Sequence, residues 1–363
     1  MNRPLVYFNK NFSVTSAQLE RLRQSGQFAT LASHSDPTSA MLGAAERAIT
    51  EPKGLLGSAY LNWLLETVQR ERPAAFLVGK EAGAVSDRRA EFERLGTQVI
   101  AVADAPTLRL LDRKDEFLAG WDASILPIPA WTTFHDAASF EAAIALLHAH
   151  PGFVPGKTRL CLKPARGIYA AGFRVLTEGR SLKSFLRGEL YQMSLDEARR
   201  MFGQEGRFQT MLLMHTLEGA ERSVDCVAWQ GVLAAAVVRR KLPDGGPQLI
   251  EDRPDLLEAA QKLTRRYHLS GIFNFQTKDD AQRQPNMLEI NARASGGLRY
   301  SMAAGLDFAG VAAGLALGLI SPEQVLLPRT GVRVSEVKRA QVLGGAAELE
   351  GGNEPLGENA ELA

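Results

Sequence analysis

The 363-residue chain is poor in cysteine and has no excess of charge of either sign. Its two cysteines, Cys161 and Cys226, lie in apolar runs and form no C-x-x-C motif. We interpret them as small core residues in a reducing cytoplasm, because disulfide frameworks and zinc sites have paired spacings. The 42 lysines and arginines balance 41 aspartates and glutamates, which argues against a nucleic-acid partner, since nucleic-acid-binding proteins carry a basic surplus.

Apolar runs long enough to cross a membrane are also lacking. The N-terminus has no basic segment followed by an apolar one, so we expect no signal peptide and a cytoplasmic location. The apolar stretch 308–320 is rich in alanine and glycine and is too short to span a bilayer. It predicts a buried helix, and no membrane partner is expected.

Several common signatures of catalysis are missing as well. No G-x-G-x-x-G follows a predicted strand in the N-terminal region, which argues against a dinucleotide bound there. The motif G-x-x-x-x-G-K-[ST] is also absent. Because the chain has no recognisable Ser–His or Cys–His constellation, we expect no covalent enzyme nucleophile.

The residues before about position 105 alternate short apolar strands with amphipathic helices. This alternation is typical of a parallel sheet covered by helices and predicts a Rossmann-like domain. The predicted strands are 5–8, 28–32, 74–79 and 98–103, and the predicted helices are 16–24, 59–70 and 87–95.

The pattern changes to longer β-hairpins from about residue 158. Gln230 and Gly231 mark one hairpin turn between two apolar runs. Residues 343–363 are rich in glycine, glutamate, asparagine and alanine, and they predict a mobile tail.

The most informative segment is an apolar strand near residue 289 that ends in polar residues. Because side chains alternate along a strand, Glu289 and Asn291 are predicted on one face, with Leu288 and Ile290 on the other. A carboxylate and an amide oxygen side by side suit magnesium. Arg293 follows two residues later with a planar fork of donors suited to phosphate. The alternative interpretation is a half-exposed strand end with solvated polar residues.

Two lysines are candidates for phosphate binding. Lys163 begins the segment KPARGIYAAGF at 163–173, where glycines let the backbone approach a phosphate and donate N–H groups to it. A predicted helix at 107–119 carries Lys114. The alternative for the first segment is an ordinary hairpin tip with a solvated lysine.

An apolar linker at 211–217 is a candidate adenine hinge. Its backbone N–H and C=O groups could meet an adenine edge, and Glu221 could accept hydrogen bonds from ribose hydroxyls. An edge strand followed by a turn explains the same residues equally well. Further along, antiparallel pairing of two strands could place the Gln276 oxygen beside Glu289.

Arg239 and Lys241 end the hairpin that precedes this strand pair. Their positive charge could face a phosphate, and a solvated strand end is the alternative.

The order of these features resembles the ATP-grasp ligases over about residues 107–325. The shared layout is a helix lysine, a strand lysine with a small-residue loop, an apolar hinge, an acidic residue, and then Gln…Glu-x-Asn-x-Arg. The loop at 163–173 is most similar to ATP-grasp proteins associated with tellurite-resistance gene clusters. Gln276 also resembles the residue used by the ATP-grasp domains of carbamoyl-phosphate synthetase.

The resemblance implies an α/β and α+β architecture. A Rossmann-like domain at 1–105 would precede a two-lobed ATP-grasp domain at 106–342, with a lid lobe at about 158–212. The implied nucleotide-binding residues are Lys114, Lys163, Met214, His215, Leu217 and Glu221, the implied metal ligands are Gln276, Glu289 and Asn291, and the catalytic candidates are Arg293, Lys163, Arg239 and Lys241.

The activity implied by the resemblance is ATP-dependent ligation of a carboxylate to an amine through an acyl phosphate. ATP and two Mg²⁺ ions would be the cofactors, with Mn²⁺ as an alternative. The expected partners are ATP, a small carboxylate and an amine or other nucleophile, and a homodimer is left open. Two other activities are considered: a nucleotide-binding regulatory or scaffold protein without turnover, and a kinase-like phosphoryl transferase on the same fold.

Overall fold

Three β-sheets follow one another along the chain in a computed structural model that describes residues 3–167, 171–179, 186, 191–242 and 246–337. The predicted mobile tail at 343–363 lies outside the described residues, as do residues 168–170 of the predicted phosphate loop.

The first sheet and its helices occupy the N-terminal hundred residues. The strands are β1 (Leu5–Phe8), β2 (Ala29–His34), β3 (Arg47–Thr50), β4 (Ala75–Leu77) and β5 (Gln98–Ile100). The helices are α1 (Thr15–Ser25), α2 (Ala40–Ala44), α3 (Gly57–Glu71), α4 (Ala82–Asp87) and α5 (Arg89–Arg94). All strand pairs are parallel, in the order β3-β2-β1-β4-β5.

The two faces of this sheet pack against different helices. Successive residues of β1 point to opposite sides, so Val6 shares a core cluster with Leu19 of α1 while Tyr7 shares another with Leu64 of α3. The predicted Rossmann-like arrangement is therefore confirmed. Strand β3 was not predicted, because three of its four residues are exposed and no apolar run marks it.

The second sheet is built from strands between residues 131 and 215. They are β6 (Trp131–Phe134), β7 (Leu160–Pro164), β8 (Arg174–Thr177), β9 (Gln192–Ser194) and β10 (Met211–His215), in the order β6-β10-β7-β8-β9. Its helices are α8 (Ala137–His148) and α9 (Leu195–Gln204), and α6 (Ala105–Asp112) and α7 (Lys114–Ala119) connect it to the first sheet. The side chains of Phe134, Phe140 and Phe202 are buried together, with ring centres 4.9–5.1 Å apart, and form the core of this lobe.

The third sheet is antiparallel and has the order β15-β14-β11-β12-β13-β16. Its strands are β11 (Glu221–Trp229), β12 (Val232–Lys241), β13 (Gln248–Glu251), β14 (Gly271–Asp279), β15 (Pro285–Asn291) and β16 (Arg333–Val334). The associated helices are α10 (Pro254–Arg266), α11 (Leu298–Ala303) and α12 (Phe308–Ala316), followed by a 3₁₀ turn at Pro322–Gln324. Gln230 and Gly231 have positive φ values of 48° and 79°, and the predicted hairpin turn between β11 and β12 is confirmed.

Helix α12 lies between the first and third sheets. Phe308, Ala312 and Ala313 are completely buried and share one core cluster with Val6 of β1 and Val227 of β11. Small side chains let the helix approach both sheets closely, and the predicted buried helix in this stretch is confirmed. Within the described ranges, no helix is both long and apolar enough to cross a membrane.

A buried ion pair joins two neighbouring strands of the third sheet, β11 and β12. Arg239 Nε donates to Asp225 Oδ2 at 2.7 Å, and the side chains are 2% and 0% exposed. Ser301 Oγ donates to the same carboxylate oxygen at 2.5 Å, and Arg239 Nη2 donates to Ser295 Oγ at 3.0 Å. Because both charges are removed from water, each depends on the other for neutralisation.

Replacing Arg239 by methionine should lower the free energy of unfolding by about 3–5 kcal/mol, because Asp225 would stay buried without its counter-charge. Urea denaturation measures the loss. Arg240→Met is the matched control, since Arg240 is partly exposed in its 3.2 Å pair with Glu251, and its loss should stay below about 1 kcal/mol. The double variant Asp225→Leu, Arg239→Met should regain most of the stability, and equal losses in the two single variants would contradict this account.

Candidate active site

A cavity of about 480 Å³ lies between the second and third sheets. Strands β7, β8 and β10 line one wall, and strands β11, β12, β14 and β15 line the other. The predicted site residues that line it are Lys114, Lys163, Met214, His215, Leu217, Glu221, Lys241, Gln276, Glu289, Asn291 and Arg293.

The predicted metal ligands come together through the pairing of β14 with β15. Gln276 lies opposite Glu289, and Asn274 lies opposite Asn291. Asn291 Nδ2 donates to Glu289 Oε1 at 3.1 Å and to Asn274 Oδ1 at 3.4 Å. Asn274 was not predicted, although its place two residues before Gln276 on the same strand face is a signal that could have found it.

The predicted orientation of Leu288 is wrong. The pairing of β15 shifts between Met287 and Glu289, which lie opposite consecutive residues of β14, so Leu288 is an extra residue in the strand. A bulge of this kind interrupts the alternation of side chains. Leu288 therefore lines the cavity beside Glu289, while Met287 and Ile290 enter the hydrophobic core.

Glu289 faces two lysines across the cavity. Lys114 Nζ lies 3.9 Å from Glu289 Oε2. Burial tends to raise the pKa of Glu289, but the charges of Lys163 and Lys114 outweigh it and hold that pKa below its usual range. Burial lowers the pKa of Lys163, and the negative charge of Glu289 opposes that shift. The three side chains thus act as one electrostatic unit.

The oxygen donors suit a magnesium ion that binds together with a phosphate ligand. Gln276, Glu289 and Asn291 offer one carboxylate and two amide oxygens on adjacent strands. In the part of the chain that the structure describes, no three histidine, cysteine, aspartate or glutamate side chains gather into a metal-binding group. Magnesium commonly takes one or two carboxylates and completes its shell with phosphates and water, so this donor set fits it.

Arg293 lies at the end of the cavity that adjoins the first sheet. Its guanidinium is 4.6 Å from the centre of the Phe12 ring, and its Nη1 donates to the Ala294 carbonyl oxygen at 3.3 Å. Asn274 Nδ2 donates to the Arg293 carbonyl oxygen at 3.1 Å. Because Phe12 belongs to the loop after β1, the N-terminal region helps to position this arginine. No local sequence signal relates positions 12 and 293.

Lys114 enters the cavity because the helix predicted at 107–119 is broken. Helices α6 and α7 lie on either side of Arg113, whose φ of −101° and ψ of 89° are not helical. The Lys114 backbone N–H donates to the Ala165 carbonyl oxygen at 3.0 Å, and its Nζ donates to the Gly167 carbonyl oxygen at 2.8 Å. The prediction of one continuous helix is therefore wrong, and the break joins Lys114 to the loop after β7.

The end of β10 presents the predicted adenine hinge to the cavity. The Leu217 N–H makes no hydrogen bond within the described residues, which leaves it available to a ligand. The His215 imidazole instead donates from Nε2 to the Leu147 carbonyl oxygen at 2.9 Å. This hydrogen bond holds the ring against the core of the lobe formed by the second sheet. Burial lowers the pKa of His215. The hinge therefore offers backbone groups, not a histidine side chain.

Charged residues that were not predicted also line the hinge end of the cavity. Glu218 accepts from Arg159 Nη2 at 2.8 Å, and Lys278 lies nearby on β14. Glu221 is ion-paired with Lys241. The position of Glu218 directly after the hinge could have indicated it, whereas Arg159 reaches it only through the pairing of β7 with β10.

The structure does not bring Arg239 into the cavity. Strand alternation puts Arg239 and Lys241 on one face of β12, but the turn at 295–297 covers Arg239 alone. A Cβ atom at Gly297 would lie 2.6 Å from Arg239 Nη1, which shows how closely the turn lies against the guanidinium. The side chain also bonds to Gln248. Arg239 therefore supports the cavity wall from behind.

Residues 207–340 match a protein family described as "ATP-grasp in the biosynthetic pathway with Ter operon". The matched range contains the hinge, the third sheet and Arg293. No curated protein matches the chain.

Solved structures with a similar fold cover most of the chain. An ADP complex of N5-carboxyaminoimidazole ribonucleotide synthetase is 12% identical with a TM-score of 0.62, and the match covers 92% of this chain and 82% of that one. The biotin carboxylase domain of Hydrogenobacter thermophilus 2-oxoglutarate carboxylase, in complex with MgADP and bicarbonate, is 15% identical with a TM-score of 0.58, covering 87% and 70%. An L-amino acid ligase from Bacillus licheniformis is 14% identical with a TM-score of 0.54, covering 87% and 75%.

These likenesses establish the fold, and the sequence match points to the same superfamily. The predicted fold class and the predicted class of enzyme agree with both comparisons. The predicted resemblance is therefore confirmed: the chain has the ATP-grasp fold, and its residues 207–340 match the ATP-grasp family that accompanies the Ter operon.

Proposed function

We propose that the chain is an ATP-dependent ligase that joins a small carboxylate to an amine through an acyl phosphate. The observation that carries the proposal is the placement of Glu289 opposite Lys114 and Lys163 in one cavity. In the proposed reaction a carboxylate oxygen attacks the γ-phosphorus of ATP, and ADP leaves. The amine then attacks the carbonyl carbon of the acyl phosphate, an amide forms, and phosphate and a proton are released.

The hinge end of the cavity would hold the nucleoside. The free Leu217 N–H would donate to the adenine edge, and Met214 and Leu288 supply apolar surface around the base. Glu221, oriented by its ion pair with Lys241, would accept hydrogen bonds from the ribose hydroxyls. This placement directs the phosphates toward the opposite end of the cavity, where the remaining charged residues lie.

The phosphates would lie between the lysines and the oxygen donors. Lys114 and Lys163 would contact phosphate oxygens, and the added negative charge would favour the protonated form of Lys163, whose pKa burial lowers. Gln276, Glu289 and Asn291 would hold the metal. Magnesium, as two ions or with Mn²⁺ as a substitute, would neutralise charge on the β- and γ-phosphates when bound.

Arg293 would act where the phosphoryl group is transferred. Arg293 lies two residues after the end of β15, which carries Glu289 and Asn291, and its guanidinium is steadied by Phe12. A planar fork of donors can bind two oxygens of the transferring phosphoryl group at once, which strengthens binding as charge develops. Arg239, which lies behind the turn at 295–297, would position that turn and not touch the substrate.

The properties of proteins with the same fold support the proposal. The synthetase was observed with ADP, and the Hydrogenobacter thermophilus domain with MgADP and bicarbonate. The Bacillus licheniformis protein is an L-amino acid ligase. The lobe formed by the second sheet carries Lys163, and its closure over the nucleotide would exclude water from the acyl phosphate.

MgATP should raise the melting temperature, because the nucleotide site exists only in the folded protein. MgGTP at the same concentration should raise it less, since the backbone of the hinge at Leu217 reads the adenine edge. Differential scanning fluorimetry compares the two. Equal stabilisation by GTP would contradict the hinge assignment, and a flat response to every nucleotide would contradict the proposed function.

Glu289→Gln should reduce turnover by orders of magnitude while the protein stays folded, because the substitution keeps the shape of the side chain and removes the charge that holds the metal. The measurement is phosphate release with MgATP and a panel of carboxylic acids and amines, with mass spectrometry of the product to identify an amide. Glu205→Gln, at an exposed position of the second lobe, is the matched control and should behave as wild type. Normal phosphate release from Glu289→Gln would place the metal site elsewhere.

Arg293→Lys should lower kcat by about 10²–10³-fold at saturating ATP and leave the Kd for ATP nearly unchanged. Lysine keeps the charge and loses the bidentate fork, and an interaction made mainly in the transition state affects kcat selectively. Arg299→Lys provides a control, since Arg299 pairs with Glu336 at 3.5 Å outside the cavity. An unchanged kcat in Arg293→Lys would show that Arg293 has only a structural role.

A further inference from the structure

The carboxyl ends of the strands in the first sheet form a second polar site, which none of the roles above uses. In the order β3-β2-β1-β4-β5, the chain passes from β1 through β2 and β3 on one side, and then crosses to β4 and β5 on the other side of β1. The strand order therefore reverses between β1 and β4. Open parallel sheets bind ligands in the crevice at such a reversal. Four strand ends deliver polar residues to this edge: Asn9 and Lys10, Ser35, Glu51, and Lys80.

Glu51 is a buried carboxylate without a basic partner. The residue is 2% exposed, and its Oε1 accepts hydrogen bonds from Ser33 Oγ at 2.8 Å, the Lys10 backbone N–H at 2.9 Å and the Tyr60 hydroxyl at 3.0 Å. Its Oε2 makes no hydrogen bond, and no basic nitrogen pairs with it, among the residues that the structure describes. Buried charges are normally paired, so this carboxylate is suited to a cation that comes from outside the chain.

The hydroxyls around Glu51 remain neutral donors. Burial raises the pKa of Tyr60, and the negative charge of Glu51 adds to that shift. Burial likewise raises the pKa of Tyr7, whose hydroxyl lies 2.6 Å from Ser33 Oγ. The hydroxyls therefore orient the carboxylate as neutral donors and supply no counter-charge.

Two lysines of the same edge have ammonium groups that contact residues beside this network. Lys80 Nζ lies 4.2 Å above the centre of the Tyr60 ring and donates to the Leu55 carbonyl oxygen at 2.9 Å. Lys10 Nζ donates to Ser35 Oγ at 2.9 Å. Within the described ranges, neither lysine forms an ion pair with a carboxylate. Each ammonium has three donors and uses one on these neutral groups, which leaves donors for an anion.

The loops that carry these charges are held rigidly. Asn9 Nδ2 donates to the Lys80 carbonyl oxygen at 2.9 Å, and Asn9 Oδ1 accepts from the Gly79 N–H at 2.6 Å. A Cβ atom at Gly79 would lie 2.4 Å from the Lys10 carbonyl oxygen, so the loops after β1 and β4 approach as closely as backbones allow. The backbone positions from which Lys10 and Lys80 project are therefore fixed relative to each other.

The same loop connects this edge to the cavity. Lys10 lies two residues before Phe12, and the Phe12 ring lies under the guanidinium of Arg293. A small molecule held at the strand ends would therefore approach the end of the cavity at which phosphoryl transfer is proposed.

We propose that this edge binds the head group of an amino acid that serves as one substrate of the ligase. The ammonium of the amino acid would contact Glu51, and its carboxylate would contact Lys10 and Lys80. A carboxylate and two cations on one rigid edge match the two opposite charges of a zwitterion. A simple acid would contact only the two lysines, and a simple amine would contact only Glu51. The substrate assignment rests on the proposed ligase function, whereas binding of the head group does not.

The test is calorimetric titration of the full-length protein with L-alanine, L-glutamate and L-lysine, each with and without MgATP, and with propionate and ethylamine as the two halves of alanine. At least one amino acid should bind, and the halves should bind at least about tenfold more weakly, because each loses a charge-assisted contact. Glu51→Gln keeps an oxygen for the three buried donors and should weaken amino-acid binding by about tenfold or more while MgATP binding is unchanged.

Lys80→Met should weaken the same binding, and it tests the site independently if Glu51→Gln does not fold. Glu66→Gln and Lys157→Met, both at exposed positions away from this edge, are the controls and should bind as wild type. Normal MgATP binding with no response to the three amino acids would overturn the site and leave the ligase proposal standing, and so would amino-acid binding that neither Glu51→Gln nor Lys80→Met weakens. Amino-acid binding that needs Glu51 in a protein that ignores MgATP would support the site and reject the ligase.

Discussion

The site depends on the electrostatic attraction between a carboxylate on one side of the cavity and two ammonium groups on the other. Glu289 projects from the third sheet, whereas Lys163 projects from the second and Lys114 from the helix that joins the lobes. Burial disfavours the charged forms of Glu289 and Lys163, and the opposite charge of each favours the charged form of the other. Each lobe therefore supplies the counter-charge that the other requires, and a metal–phosphate ligand inserted between them would satisfy both.

The parts of the site that sequence patterns predicted are local. The pairing of Gln276 with Glu289 follows from two strands joined by a short polar turn, and alternation along β15 places Asn291 beside Glu289. The Rossmann-like sheet follows in the same way from the alternation of apolar and amphipathic runs. Lys163 and the hinge could also be predicted, because the sequence pattern that marks a strand end or a linker lies within about ten residues.

The parts that sequence patterns did not predict are set by contacts between distant segments. The extra residue Leu288 and the break at Arg113 depend on how a strand or helix meets its neighbours. Arg239 and Lys241 look alike in the sequence, and only the returning turn at 295–297 buries one and leaves the other in the cavity. The contact of Phe12 with the guanidinium of Arg293 joins residues from the two ends of the fold.

Helix α12 gives the first and third sheets a common core, so the N-terminal region is part of the framework that holds the proposed metal ligands. Phe308 is completely buried in a cluster that reaches Val6 and Val227. The polar edge around Glu51 and the cavity wall around Glu289 are therefore attached to the same packed body. The aromatic core around Phe134 forms a separate cluster, whereas the other side of the second sheet contributes Cys161, Leu212 and Met214 to a cluster that it shares with the third sheet.

The bulge at Leu288 gives the cavity two consecutive side chains of β15, Leu288 and Glu289, and leaves the register of the following residues unchanged. Met287 and Glu289 lie opposite Thr277 and Gln276, so deleting Leu288 would restore regular pairing and leave Glu289 opposite Gln276 on the cavity face. A deletion or insertion between Glu289 and Asn291, where the pairing is regular, would instead move Asn291 by one place and turn its side chain toward the opposite face. The chain length between Glu289 and Asn291 should therefore matter to the site more than the presence of the extra residue Leu288.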